Sequence, residues 1–391
     1  MANKLNLRQS WLFLHRWIGL IGLIGMAILG ITGSALVWPD KTEELIYGGR
    51  FSGQPSGELL SVDEYVASAS AALPEGDRIS AMRLPVDNAT AVLVGGAPHK
   101  VNRVGPPARH RVWLNPQTGE PTASASLAPD FMWYMHALHG HFALKGMGRT
   151  LVGIFGFVLC FSVFTGVWLW WPKNGNLKKA IRWKRSPSQL SNLHHMVGFW
   201  SAVPMMILAF TGAYIVFPAF FGFFVSLATG QLGAESGGRG HGSEPPITPP
   251  AEITVLAPSE AAGLALSEAD GGQIAFLAWP TETRPVWAVE IACDGASEDG
   301  HEPCLKQFQV EDATGLVRTP PPAEAPSAAQ SAATLMDEIH AAHLGGPVWQ
   351  FIIFLAGIIL TALSLTGIYM WWKMRAGRIR VQAMRRAQAA E

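Results

Sequence analysis

Four histidines stand near the start of long apolar stretches of the chain. His15 and His194 occupy the same place in two related stretches that begin LHRWIGLIG and LHHMVGFWS. His139 and His340 precede two further apolar stretches. An ionisable residue beside a membrane segment is costly and usually functional, and imidazole nitrogen is a good ligand for iron. One interpretation is therefore two bis-histidine haem sites, with His15 opposite His194 and His139 opposite His340.

Neighbouring histidines keep other ligand sets open. The competitors are His195, beside His194, and His136 and His343, each close in sequence to a member of the second pair. Together with that pair, His136 and His343 could form a metal site that holds no haem. Zinc is less favoured, because no single stretch offers a tight set of His, Cys, Asp and Glu ligands.

The apolar stretches repeat in order along the chain. Each stretch contains one Thr-Gly pair. In the first and third stretches the pairs are Thr32-Gly33 and Thr211-Gly212, at the same interval after the histidine. In the second and fourth they are Thr165-Gly166 and Thr366-Gly367, each before a Trp-Trp pair. Each stretch reaches the roughly 20 apolar residues that cross a bilayer. The pattern predicts an α-helical membrane protein with four transmembrane helices from a tandem duplication. The helices are expected at 11–38, 149–171, 194–217 and 348–372.

Glycines on the first helix are relevant to the haem interpretation. A flat macrocycle can approach a helix closely only where the side chains are small. Gly19, Gly22 and Gly25 follow His15 on this helix, and together with Gly198 on the third helix they are expected to supply that clearance.

Charge distribution predicts the orientation of these helices. The formal net charge is zero, which argues against a generic attraction to nucleic acid. Basic residues are concentrated in the segment 1–16, in the loop 172–193 and in the tail 373–391. The positive-inside rule places these three segments, and so both termini, in the cytoplasm. The first apolar run is too long for a signal peptide, so we expect it to be retained as a helix.

The two long segments between the helices are expected to face the periplasm. Residues 40–130 and 218–335 each show a helix followed by strands, which predicts two periplasmic α+β modules. In the first module, Ser61 and Glu64 form a capping box that opens the helix. Flexible linkers are expected at about 229–252 and 319–332 of the second module. A periplasmic segment is also predicted before each of the second and fourth helices, within 131–171 and 336–372.

If the outer side of the membrane is oxidising, two of the three cysteines can form a disulfide in the second module, and otherwise they would be free thiols. Cys293 and Cys304 flank the loop DGASEDGHEP and are predicted to form a disulfide, whereas Cys160 lies inside the second apolar helix. The chain has no Cys-x-x-Cys-His motif, so any haem would be bound without a covalent link.

Helix length raises a difficulty for two haem sites. A single straight helix from His139 to Trp171 would be about 48 Å long, which would hold the two sites far apart. Gly146 and Gly148 are expected to break this helix so that the His139 segment folds inward, and Pro347 is expected to do the same before the fourth helix.

The repeated motifs resemble a known family. The doubled Leu-His start, the Thr-Gly pairs followed by Trp-Trp and the turn Asn115-Pro-Gln-Thr-Gly119 are similar to those of PepSY-associated transmembrane proteins. The two outer modules look like PepSY domains, and the whole arrangement resembles inner-membrane ferric-siderophore reductases of the FoxB type. This resemblance implies two haem b groups and a location in a bacterial inner membrane. The family's histidine positions fall on His15, His139, His194 and His340.

The resemblance also implies an oxidoreductase that releases iron from a ferric siderophore in the periplasm. The chain has no Gly-x-Gly-x-x-Gly after a strand in its short cytoplasmic segments, so the electron donor is expected to be a membrane quinol or a separate cytoplasmic reductase. Two alternatives are a transmembrane electron conduit for another acceptor and a binding or sensing protein without enzymatic activity. A permease is less favoured, because the helices carry almost no charge between their ends.

Overall fold

A computed structural model describes residues 7–48, 58–85, 92–98, 110–126, 131–172, 175, 178, 181–182, 188–231, 248–296, 303–320 and 326–388. The predicted linkers and the basic loop 172–193 lie partly outside these ranges. The chain forms two compact units. The helical unit comprises residues 1–39, 131–243 and 325–391, and the sheet unit comprises 40–130 and 244–324.

The described elements alternate between the two units along the chain. The helices are α1 (Leu7–Ala35), α2 (Pro39–Tyr47), α3 (Val62–Ala72), α4 (Phe131–His141), α5 (Gly148–Trp170), α6 (Gln189–Trp200), α7 (Ala202–Val216), α8 (Pro218–Thr229), α9 (Pro258–Glu268), α10 (Ala328–His340) and α11 (Gly346–Gln388). The strands are β1 (Asp77–Arg83), β2 (Val92–Pro98), β3 (His110–Leu114), β4 (Pro121–Ser126), β5 (Gln273–Ala278), β6 (Val286–Ala296), β7 (Pro303–Glu311) and β8 (Val317–Arg318).

Among the described helices, α1, α5 and α11 are long and apolar enough to cross a membrane. Because an α-helix rises 1.5 Å per residue, the 23 residues of α5 extend about 34 Å, which exceeds the hydrocarbon thickness of a bilayer. The pair α6 and α7 meets the same criteria when it is taken as one span. The chain is therefore a multi-pass membrane protein, with three or four candidate spans in the part that the structure describes.

The predicted third helix, 194–217, differs from the structure in its shape. It begins earlier, at Gln189, and it bends by 63° between α6 and α7. Pro204 explains the position of the break, because proline has no N–H to donate to the carbonyl of Trp200 one turn earlier. Ser201 at the break donates its hydroxyl to the carbonyl of Val197, at 2.7 Å.

The ends of the other spans also differ from the predicted ones. The first helix runs from Leu7 to Ala35 rather than over 11–38. The fourth continues past residue 372 to Gln388, so the predicted basic tail is a helical extension. Its sequence after residue 372 is rich in Arg, Ala, Met and Gln, which favour helices, and it lacks proline.

Small residues allow α1 and α11 to pack closely. A Cβ atom added to Gly357 would lie 2.2 Å from Ser34 Oγ and 2.4 Å from the carbonyl oxygen of Gly30. Ser34 donates its hydroxyl to the carbonyl of Phe354, at 2.8 Å, and Thr361 donates to the carbonyl of Ala27, at 3.2 Å. Small residues and hydroxyl hydrogen bonds are the usual means by which membrane helices associate.

The described strands form one antiparallel sheet rather than two separate modules. The strand order is β4-β3-β2-β1-β5-β6-β7-β8. Strand β1 pairs with β5, with Met82 opposite Leu277, and this contact joins the strands of the two predicted modules. Each predicted module would expose an apolar face if it folded alone. One shared core with α3 and α9 buries both faces, and so it removes more apolar surface from water than two separate modules would.

The second predicted module, 218–335, also has different limits. Helix α8 and the first part of α10 fall within that range but belong to the helical unit, where the two helices contact each other. The apolar composition of α8 accounts for this position, because its exposed side chains are suited to lipid rather than water. Those exposed apolar residues are Phe220, Phe223, Phe224 and Leu227.

Local predictions within the sheet unit agree with the structure. Ser61 caps α3 and forms the predicted capping box with Glu64. Cys293 on β6 and Cys304 on β7 form the predicted disulfide, with their Cα atoms 5.3 Å apart. Cys160 on α5 is a free thiol.

Candidate functional site

The four predicted histidines lie on four different helices of the helical unit. His15 is in α1, His194 is in α6, and His139 and His340 are in the last turns of α4 and α10. All four side chains are half-buried. Their competitors are exposed, namely His136, His195 and His343.

The histidines of the first half of the chain contact its two Thr-Gly pairs. His15 Nδ1 is 2.8 Å from Thr165 Oγ1, which links α1 to α5. His139 Nδ1 is 3.1 Å from Thr32 Oγ1, which holds the end of α4 against α1. Each threonine is buried. The hydrogen bonds therefore fix each ring through one nitrogen atom.

The second half of the chain repeats this arrangement. His194 Nδ1 is 3.3 Å from Thr366 Oγ1, which links α6 to α11. His340 Nδ1 is 2.9 Å from Thr211 Oγ1, which holds the end of α10 against α7. In the sequence, the four threonines are recognisable only as markers of the repeat, and no role was predicted for them. The signal that could have identified them is the recurrence of four histidines and four Thr-Gly pairs in the same order.

Two of the histidines from different halves of the chain face each other. The ring centroids of His139 and His340 are 6.1 Å apart, and the ring planes are inclined by 43°. A metal ion bonded at about 2 Å to one nitrogen of each ring would hold two opposed rings with centroids about 6 Å apart. The separation therefore suits one ion between the two rings.

Sharp turns bring His139 and His340 to these positions. The helix breaks after His141, where Phe142, Ala143 and Gly146 have φ angles of 51°, 54° and 76°. A left-handed backbone cannot continue an α-helix, so α4 folds back instead of extending α5. The predicted break near Gly146 is confirmed.

The second break has the same form at a slightly different place. It lies at Ala342 and Gly345, with φ angles of 65° and 92°, rather than at Pro347 itself. Pro347 is the second residue of α11, where a missing N–H costs little because the first helical N–H groups have no partner inside the helix.

The rings of His139 and His340 each pack against the glycine of a Thr-Gly pair, which has no side chain to obstruct them. A Cβ atom added to Gly33 would lie 2.8 Å from Cε1 of His139, and one added to Gly212 would lie 3.0 Å from Cε1 of His340. Gly25 does not leave the room for a macrocycle that the sequence suggests. The side chain of Phe155 packs against it instead, and an added Cβ would be 2.5 Å from Cζ of that ring.

The competing ligand sets are not assembled. His136 Nδ1 donates to the carbonyl of Met132 in its own helix, at 3.0 Å. Among the residues that the structure describes, no group of three or more His, Cys, Asp or Glu side chains could hold a metal ion. The alternative site of His136, His139, His340 and His343 is therefore not formed, because His136 and His343 point to the surface.

Helix α7, whose Thr211 contacts His340, carries one buried polar atom without a hydrogen-bond partner among the described residues. Tyr214 lies one turn after Thr211, and its side chain is 4 % exposed. Its hydroxyl makes no hydrogen bond to any described residue. A buried hydroxyl without a partner is costly, so a polar group of a bound molecule would be favourable there. The paired rings and the close glycines would fit a metal-containing group held between His139 and His340.

The two histidine pairs lie toward opposite ends of the helical unit. Thr32, which contacts His139, stands far beyond His15 on α1. At 1.5 Å per residue, the interval from position 15 to position 32 corresponds to about 26 Å along the helix axis. The broken helices thus place the pairs closer together than the roughly 48 Å that one continuous helix would require.

Comparisons with known proteins identify the family. No curated protein matches the chain at a significant level. The family model described as the PepSY-associated TM region matches residues 12–374, which include all four histidines and all four Thr-Gly pairs. The chain therefore belongs to the family of proteins with a PepSY-associated transmembrane region.

Proposed function

We propose that the protein is a haem-containing reductase that moves electrons across the bacterial inner membrane and reduces ferric siderophore in the periplasm. The observation that carries this proposal is the 6.1 Å separation of the His139 and His340 rings, each held through Nδ1 by a buried threonine. His139 and His340 would hold one haem b, and His15 and His194 would hold the other.

Each residue has a distinct role in this proposal. The histidines would hold the haem iron through the ring nitrogen that does not contact threonine. Gly33 and Gly212 let the rings approach the helices closely. The bound haem would supply one-electron chemistry, since its iron changes between the ferric and ferrous states. Two sites about 26 Å apart along α1 would lie near opposite membrane surfaces.

The charge pattern supports the proposed direction of electron flow. By the positive-inside rule, the clusters of Lys and Arg favour a cytoplasmic position for the termini and the loop 172–193, and the sheet unit would then lie in the periplasm. The His15 and His194 pair would then face the donor side, where a quinol or a cytoplasmic reductase supplies electrons. The disulfide between Cys293 and Cys304 is consistent with an oxidising periplasm.

The substrate is proposed from the chemistry of iron chelates. Hard oxygen ligands hold ferric iron more tightly than ferrous iron, because the higher charge strengthens their attraction. Adding one electron to the chelated iron therefore loosens the complex and leaves the chelator intact. The acceptor site would be on the periplasmic side, near the pair formed by His139 and His340.

An absorption spectrum of the purified protein in detergent tests the cofactor. We expect b-type bands that sharpen on reduction with dithionite, with two haems per chain. His139→Ala and His340→Ala should each remove one haem and leave the other. His136→Ala and His343→Ala are matched controls, because these exposed neighbours should retain both haems. His194→Ala and His195→Ala form a corresponding comparison at the other pair.

A stopped-flow measurement tests the acceptor. The reduced protein should be reoxidised by a ferric hydroxamate chelate and should not be reoxidised by the gallium form of the same chelator, because gallium does not accept the electron. A coloured protein that ferric chelates do not reoxidise would favour a conduit for another acceptor. A colourless protein after expression with ample haem would reject the reductase and favour a binding or sensing role.

A further inference from the structure

The four threonines of the Thr-Gly pairs make hydrogen bonds on two sides. Besides contacting a histidine, each hydroxyl lies close to a carbonyl of its own helix. Thr32 Oγ1 is 2.6 Å from the carbonyl oxygen of Ile28, and Thr211 Oγ1 is 2.9 Å from that of Ile207. Thr165 and Thr366 make the same type of contact, with the carbonyl oxygens of Ser162 and Leu363, at 3.0 Å and 3.1 Å.

A hydroxyl group has one proton, and its use decides the role of the histidine. A carbonyl oxygen can only accept, so the contact with it requires the threonine to donate its proton there. The threonine oxygen can then only accept from the imidazole, which must carry its proton on Nδ1. In the opposite arrangement, the threonine would donate to the ring and its carbonyl contact would be lost. The first arrangement satisfies both contacts, so it is favoured, above all at Thr32, Thr165 and Thr211, which are buried.

We infer that the four threonines hold the histidines in the tautomer with the proton on Nδ1, and thereby direct the Nε2 lone pair toward iron. This inference rests on the proposed function, because it assigns positioning residues to the proposed haem sites. Metal-binding histidines usually donate their second ring N–H to a fixed acceptor, which sets the ring orientation and increases the basicity of the ligating nitrogen. Here a threonine hydroxyl, polarised by its own helix carbonyl, is that acceptor.

The arrangement also indicates how strongly each site is fixed. Thr32 and Thr211 are 2 % exposed and lie beside glycines that contact the ring of the bound histidine. The contact between His194 and Thr366 is the longest of the four, and an added Cβ on Gly367 would meet nothing within 4 Å. The His194 ring is therefore the least constrained of the four.

Substitution of the threonine tests the inference. Thr32→Val and Thr211→Val keep the shape of the side chain and remove the acceptor. We expect each to raise the reduction potential of the haem held by His139 and His340, because a less basic ligand stabilises ferric iron less. Haem affinity at that site should fall about 10- to 100-fold, the usual effect of losing such a partner. Thr32→Ser and Thr211→Ser keep the hydroxyl and should restore both properties.

A matched control separates this effect from a general loss of stability. Thr361 Oγ1 likewise lies near a carbonyl oxygen of its own helix, that of Gly357, at 3.0 Å, and it also lies 3.2 Å from the carbonyl oxygen of Ala27 on α1. Thr361→Val should leave the reduction potential and the electron paramagnetic resonance spectrum of both haems unchanged. The same spectrum should change in Thr32→Val, because the orientation of the axial ring would no longer be fixed.

The outcomes distinguish this inference from the proposed function. If the protein binds two haems and the valine variants keep the potential and spectrum of the wild type, the threonines are merely structural and the inference is overturned, whereas the reductase stands. A wild-type protein without haem would overturn both. A change in the valine variants that serine does not reverse would also contradict a role for the hydroxyl.

Discussion

His139 packs so closely against Gly33 that no methyl group fits between the ring and helix α1. The Cβ of an alanine there would be 2.8 Å from ring atom Cε1, a distance that real side chains almost never show. The ring is also tied to Thr32 on the same helix, so it cannot move aside without breaking that hydrogen bond. Two consecutive residues of α1 thus determine where this histidine can lie.

The first prediction follows from this contact. Gly33→Ala should displace the ring of His139 and lower haem retention at the His139 and His340 site by about tenfold or more. Haem counted per chain after purification measures the effect. Gly367→Ala is the matched control, since it is the corresponding glycine of another Thr-Gly pair and has nothing within 4 Å of an added Cβ. Equal haem loss in the two variants would contradict a specific role for the His139 contact.

A second prediction concerns the pH dependence of α3 in the sheet unit. The Ser61 hydroxyl, and then its backbone N–H, donate to the carboxylate of Glu64 and hold the pKa of that group below its ordinary value of 4.5. A depressed pKa means that the carboxylate adds stability above its unfolded-state pKa and that this stability is lost as the pH falls through the folded-state value. The capping box should therefore weaken below about pH 4.5.

Hydrogen–deuterium exchange of peptides from α3 measures this effect in the full-length protein. Ser61→Ala should destabilise the helix by about 1 kcal/mol at neutral pH, which is the usual cost of losing a serine cap. Relative to the intrinsic exchange rate at each pH, the variant should also show a smaller loss of protection between neutral and acidic pH than the wild type. An unchanged acid response in Ser61→Ala would show that the capping box is not the group that titrates.

The third prediction concerns the disulfide between β6 and β7. Cys293 and Cys304 close a loop with a sequence separation of 11 residues. In the chain-entropy description, a loop of this size stabilises the fold by about 2 to 3 kcal/mol. Cys293→Ser with Cys304→Ser should lower the melting temperature of the sheet unit and make it insensitive to reductant. Cys160→Ala should leave the reductant effect intact, because this thiol is free. A reductant effect that persists in the double variant would place its cause outside the disulfide.

Local signals in the sequence predicted several elements accurately. The capping box at Ser61 and the break near Gly146 each depend on neighbouring residues, so a short stretch contains all the information needed. The bend at Ser201 was missed although Pro204 indicates it, because the repeat with the first helix suggested a continuous span. Strand β4 is not indicated by its sequence, PTASAS, because most of its residues are small or polar rather than the branched and aromatic ones that favour strands.

Contacts between segments far apart in the chain could not be predicted from the sequence. The pattern of strands did not show that β1 would pair with β5, because either edge of a small sheet offers the same backbone groups. In the helical unit, the four histidines were identifiable from their repeated positions. Their threonine partners lie on other helices, so only the folded chain shows which Thr-Gly pair each histidine meets.

The pairing of β1 with β5 has a consequence for how the chain can be divided. Each half of the chain supplies four of the described strands, and its innermost strand would be an open edge if the other half were absent. Open edges attract foreign strands, and natural sheets rarely leave them uncovered. Neither half is therefore expected to persist as a soluble fragment. Two halves produced together from separate genes should associate again, because Ala81, Met82 and Arg83 of β1 can pair with β5. Any shorter relative that kept only one set of these strands would have to protect the same edge in another way, for example with a covering helix or a second copy of the sheet.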